Sequence, residues 1–335
     1  MGNQRVVLGI DQCKNIGKIV KNLKFRPSFY KREFITYDSD DETKMRVYLY
    51  SIAICHQTHS LINRKRNLLG WDFMELAFLN MVKENSELLA PSNLAEMSVN
   101  EVSEKIKPFF SDDGSPEKCT LDRLGERSRF LIDVGKTIRD KYESKVKNLV
   151  SSSEGYLLRD GKGLYELLEQ FEAYKDPLRK KSSLFIKIMM DAGLVRVKDL
   201  GNFIPVIDYH MQRVLLRMGC VEIVDQDLKN KLKTREPLGS DEEIRLKCIE
   251  AINIISEGSG YQAVQMNDFF YPLGRSCCME KILCVDRECN KDPCTFYKVV
   301  EMTSHEKCVF EGTCKGSGDA EYRRFWQPVV ETHYY

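Results

Sequence analysis

The stretch "FIPVIDYHMQRVLLRMG", residues 203–219, changes its periodicity in the middle. Phe203 to Ile207 is an extended apolar run interrupted by Pro205. From Tyr209 onward, Met211, Val214, Leu215 and Met218 recur three and four apart, the repeat of one helix face. Asp208 stands at the junction, where a carboxylate caps a helix by accepting hydrogen bonds from the first free backbone N–H groups. Arg213 and Arg217 fall on another side of the same helix, and His210 lies in its first turn. Whether Asp208 is a cap alone, or a cap that also does chemistry, depends on what the rest of the chain brings to it.

Helical periodicity dominates elsewhere. Apolar residues recur three and four apart over residues 45–62, 71–84, 100–110, 126–142, 163–174, 182–193 and 241–256. Strand signals are short: "VVLGI", "LVRV" and "FIPVI" predict at most small pieces. Turn residues punctuate the chain at 111–118, 151–163, 175–181 and 233–240. The expectation is an all-α protein.

The chain has 335 residues, 42% of them hydrophobic, with 51 basic against 50 acidic side chains and a net charge of +1. Such a balance sets up no global field toward a polyanion, so any nucleic-acid site must be a local patch. No apolar run is long enough to cross a bilayer, and the N-terminal "MGNQRVVLGIDQCKN" is too short in apolar core for a secretory signal. The expected location is cytoplasmic, with no membrane partner and a monomeric state. Twelve cysteines in that compartment are thiols or metal ligands, and seven of them crowd into residues 277–314.

"IPVIDYHMQRVLLRMG" resembles the Pro-Val-Asp-x-His-Val-x-Arg-Val-x-x-Arg-Leu-Gly segment of the helix-hairpin-helix (HhH-GPD) DNA glycosylases of the endonuclease III type, with one additional residue before the Asp. The resemblance implies a two-lobed helical glycosylase fold with a central cleft, and it makes Asp208 the catalytic carboxylate. The chemistry suits that residue, because breaking a C1′–N bond builds positive charge on the sugar. A fixed carboxylate stabilises that charge and orients or deprotonates the attacking water. Bifunctional members add a lysine that forms a Schiff base. Lys181, in "RKKSSLFIKIM", is similar in setting to that nucleophile; the stronger reading is a solvated charge in a polar turn, and no lyase activity is expected. Arg179 and Lys180 beside it are candidates to grip a phosphate. The family's hairpin glycines are absent from "KDPLRKK", which weighs against duplex binding in the usual way.

A second resemblance covers residues 45–275 and the terminal "HYY". In "ICHQTHSLI…GWDFMELAFLNMV", "MSVNEVSEKIKPFF", "ERSRFLIDVGKTI", "KKSSLFIKIMMDAG" and "LKNKLKTREPLGSDEEIRLKCIEA", the order of segments is similar to the queuosine salvage proteins. These are N-glycosidases that release queuine from the nucleoside 5′-phosphate, and Asp208 again falls on the catalytic aspartate. Within "CHQTHSL…GWDFM", His56 and His59 are expected to share a helix face, with Trp71 and Phe73 after a turn. Such groups stack on a base and bond its edge; the same residues also read as a buried polar pair with core aromatics. His210 and Arg213 complete the candidate substrate-binding set.

The cysteine segment begins with Gly274-Arg275-x-x-Cys278, resembling the start of the iron–sulfur loop of the endonuclease III type, and Cys308-x5-Cys314 matches its final spacing. That resemblance implies a [4Fe–4S] cluster with Cys278, Cys308 and Cys314 among its ligands; the intervening cysteines do not match it, and Cys294 is taken as the second ligand, with Cys284 and Cys289 as substitutes and zinc as the alternative metal. The expected organisation is a helical domain over residues 1–275 and a cysteine-rich metal loop with tail over 276–335. Three functions follow in order: a base-excision glycosylase acting on a modified base in DNA, a queuosine 5′-phosphate N-glycosidase, and a non-catalytic metal-bearing nucleic-acid-binding protein in which Asp208 only caps.

Overall fold

A computed structural model describes residues 4–335. The described residues are mostly helical, with four short strands among them. It divides into two compact units, one made of the chain up to Lys31 with Ile204–Glu331, the other of Arg32–Phe203 with Thr332–Tyr335. Residues 276–335 are therefore not set apart as a body of their own; through Glu331 they pack in the same unit as the Asp208 helix. No helix among the described residues is long and apolar enough to cross a membrane.

In the first unit, the helix Tyr209–Met218 is central. Asp208 accepts a hydrogen bond from Met211 N at 2.9 Å, and Gly219, at φ 76°, ends the helix in the left-handed conformation that favours glycine. Met211, Val214, Leu215, Leu216 and Met218 are all buried, and full burial of such a side chain stabilises by about 1.5–3 kcal/mol before ordering costs. They join one core with the helices Ile10–Val20, Glu242–Ser259 and Ala263–Pro272, and with Phe296, Val299 and Phe310 of the cysteine segment. Gly274 lets that segment's start lie against the central helix, since a Cβ there would meet the carbonyl oxygen of His210 at 2.8 Å.

In the second unit the long helices are Asp41–Ala53, Trp71–Asn85, Leu124–Tyr142 and Lys180–Asp191. Ser98 and Glu101 form a reciprocal capping box that starts Val99–Ile106.

Of the three strand signals, "LVRV" and "FIPVI" hold no strand residues. "VVL" does form a strand, Val6–Leu8, paired antiparallel with Val221–Ile223. The expected helix over 45–62 ends at Ala53, and Gln57 takes φ 43° in the loop that follows. The expected helix over 163–174 breaks into Leu164–Leu168 and a single 3-10 turn, Glu172–Tyr174.

Candidate functional site

Asp208 is the first constellation. The residue is 7% exposed, and its Oδ1 serves the cap. His210 is buried, with Nδ1 3.0 Å from Arg213 Nη2 and its ring 5.5 Å from that of Tyr271. Arg213 is fully buried and has no surface left for a ligand. It donates to the carbonyl oxygens of Cys278 (2.9 Å) and Gly274 (2.7 Å) and to Gln327, and it lies over the Trp326 ring. Burial and then Arg217 pull its pKa down to about 10, against the opposing pull of Cys278 and Asp208, so it remains a cation at neutral pH. The expected substrate-binding arginine is thus a latch that ties the central helix to the cysteine segment.

The second constellation lies in the other unit, around Lys181. Its ammonium nitrogen is fully buried, 2.6 Å from Ala53 O, 3.3 Å from His56 Nδ1 and 5.3 Å from the centre of the Phe130 ring. The polar-turn reading of this lysine fails, because the helix Lys180–Asp191 already begins at residue 180 and turns Lys181 inward. Burial brings its pKa down to about 7, the nearby cations Lys180 and Arg127 adding to the effect. His56 is held neutral, far below its ordinary range, by burial and then by Lys181, Arg127, Arg123 and His333.

Glu126 Oε1 lies 2.9 Å from His56 Nε2 and pairs with it, while His333 Nε2 is buried without a hydrogen bond. The loop carrying His56 is held by the fully buried Arg127, which donates to Ile54 O, to His56 O at 2.9 Å and to Asp122 Oδ1 at 2.6 Å. The tail closes on the same loop: Gln57 N donates to Tyr335 O at 3.1 Å, and the His333 ring is 5.1 Å from Phe130.

Other candidates are placed elsewhere. His59 is exposed while His56 is buried, because the helix that was to align them ends before either. Phe73 is in the core against Phe110, and Trp71 donates to Glu75 Oε1 at 2.7 Å with its ring edge to Phe34. Arg179 is engaged by Glu169 at 2.6 Å and stacks on Tyr165. Lys180 is buried, with Nζ 3.7 Å from Cys55 Sγ. Neither basic side chain stands open to a phosphate. Glu126, Arg127 and His333 escaped sequence reasoning: the first two sit in a helix recognised only by its apolar spacing, and the third in a four-residue tail.

The expected cysteine quartet is divided. Cys294 belongs with Cys277, Cys289 and His305, whose ligand atoms all lie within 4.8 Å of one another. Cys277 Sγ is 3.5 Å from Cys294 Sγ, 3.9 Å from Cys289 Sγ and 3.1 Å from His305 Nε2. A tetrahedral ion with metal–sulfur bonds of about 2.3 Å has thiolate edges of roughly 3.8 Å, so this Cys3His group fits a single metal ion. Cys278, Cys308 and Cys314 instead line a neighbouring cavity together with Cys284, and Cys277 borders it as well.

The buried lysine sets a pH dependence. Its folded pKa is depressed, so between about pH 7 and the ordinary lysine range the unfolded chain holds more protons, and stability rises with pH across that window. Urea unfolding is expected to show a gain approaching 1.4 kcal/mol per pH unit from this group, to within about a factor of two, and Lys181→Met should flatten it. An unchanged slope in that variant would place the lysine charge in solvent.

A search of curated proteins returns no match. The family model described as "Queuosine salvage protein" matches residues 53–267, a span of well over half the chain that takes in Asp208, His56, Glu126 and Lys181 and stops short of the cysteine segment; the chain belongs to this family.

Proposed function

We propose that this protein is an N-glycosidase that hydrolyses a queuosine-type nucleoside 5′-phosphate and releases the modified base. The family match across residues 53–267 carries the reading, and it supports a modified nucleotide ahead of the DNA substrate that the endonuclease III resemblance placed first. In this reading Asp208 faces the anomeric carbon. As the C1′–N bond lengthens, its charge stabilises the oxocarbenium-like sugar and takes a proton from the attacking water. The hydroxide oxygen bonds to C1′, the bonding pair leaves with the base, the base nitrogen takes a proton from solvent, and Asp208 releases to solvent the proton it accepted. Lys181, held with His56, Glu126 and His333 in a buried polar cluster of the second unit, is assigned no contact with the substrate, and no Schiff base is invoked. For the Cys3His group the proposed occupant is zinc in a closed structural site, since mixed nitrogen and sulfur ligands in a tetrahedron suit that ion.

The purified protein incubated with queuosine 5′-phosphate is expected to yield free base of the corresponding mass, with no release from modified duplex or single-stranded DNA. Release from DNA alone would overturn the proposal.

A further inference from the structure

Seven cysteines and one histidine crowd the segment 277–314, and the Cys3His group accounts for only four of them. The remaining thiols, Cys278, Cys284, Cys308 and Cys314, line a single cavity of about 20 Å³. They come as two pairs of equal spacing, Cys278-x5-Cys284 and Cys308-x5-Cys314. Cys277 and Cys278 are neighbours in sequence, but the chain bends at Cys278, with φ −135° and ψ 58°, as a π-helical turn ends. The Cys277 sulfur reaches His305 Nε2 at 3.1 Å although Cys277 also borders the cavity, whereas Cys278 takes no part in the Cys3His group.

The four cavity thiols differ from the first group in spread. Among the described residues they do not form a group with ligand atoms all within 4.8 Å, although four thiolates around one zinc ion would. A cluster of iron and sulfide interposes its own atoms between the thiolates and so holds them further apart than one ion does. The donor set contains sulfur alone, as four-cysteine clusters require. The surroundings also suit it: Val214, Met218, Leu273 and Phe310 supply apolar wall, and the cations Arg217 and Arg323 border the same cavity. Arg217 Nη1 lies 3.5 Å from Cys278 Sγ. Four thiolates on a [4Fe–4S]2+ core leave a net charge of 2−, which a buried site must offset with nearby cations and hydrogen bonds.

The geometry points to two different metal centres side by side, a single-ion site on Cys277, Cys289, Cys294 and His305 and a [4Fe–4S] cluster on Cys278, Cys284, Cys308 and Cys314. Since Val214, Arg217 and Met218 come from the helix that Asp208 caps, the cluster braces the C-terminal half of that helix. Its role is structural, and the four thiol protons are released to solvent when it forms.

Metal analysis of the whole protein, purified without oxygen and supplied with ferrous iron and sulfide, tests this. The expected content per chain is about four iron and four acid-labile sulfide with one zinc, and a broad visible absorption that bleaches on reduction with dithionite. Cys308→Ser and Cys284→Ser should lose iron, sulfide and colour and keep zinc; Cys289→Ser should lose zinc and keep the other three. Zinc at both sites without sulfide, failure of the unmodified protein to take up iron, or iron lost from Cys289→Ser and retained in Cys308→Ser would each overturn the assignment. The unmodified protein decides the first two outcomes even if a variant fails to fold.

Discussion

Asp208→Asn is expected to give a folded protein whose turnover falls by about three orders of magnitude, the scale of removing one preorganised group that stabilises transition-state charge. The substitution is nearly isosteric. Asn is as good a helix cap as Asp, so the 2.9 Å bond from Met211 N survives and the helix keeps its start. What disappears is the charge set against the developing cation. Because that charge forms only as the bond breaks, the loss should appear in kcat with KM little changed. Unfolding free energy should stay within about 0.5 kcal/mol of the unmodified protein, the range of substitutions that break no buried feature. A variant with full turnover would reduce Asp208 to a cap and leave the non-catalytic reading standing.

Arg213→Met is expected to act in the opposite way, on the fold rather than on the substrate. Methionine fills part of the volume but takes the Arg213 donor from the carbonyl oxygen of Gly274 and leaves that of Cys278 with Arg217 alone. A buried acceptor so orphaned costs about 1–3 kcal/mol, and the contact with Trp326 goes as well. A loss of about 2–5 kcal/mol in urea unfolding follows, large against the margin by which most domains are stable. Whatever protein remains folded should keep its KM. A raised KM at unchanged stability would return Arg213 to the role of substrate ligand.

The contrast between these residues shows what a sequence makes legible. The helix after Asp208 could be read because three local signals agree there: a capping carboxylate, apolar spacing of three and four, and a terminal glycine. Its neighbour "FIPVI" could not, because an extended segment becomes a strand only when another backbone pairs with it. The partner that "VVL" finds lies more than two hundred residues away. His56 was recognised as a candidate for a reason that failed, the supposed helix face. Its actual setting depends on Arg127, Lys181 and the tail, contacts made across long sequence separations. The cysteines were legible as metal ligands but not in their grouping. Spacing alone cannot tell that Cys277 and Cys278 part company, since one backbone bend decides it.

The path of the chain has a practical side. It leaves the first unit after Lys31, returns at Ile204, and departs again after Glu331 to finish beside Gln57. Neither half is an uninterrupted piece of polypeptide, so no single cut liberates a self-sufficient fragment. Shortening the last four residues takes away part of the lysine's surroundings, whatever else it leaves intact.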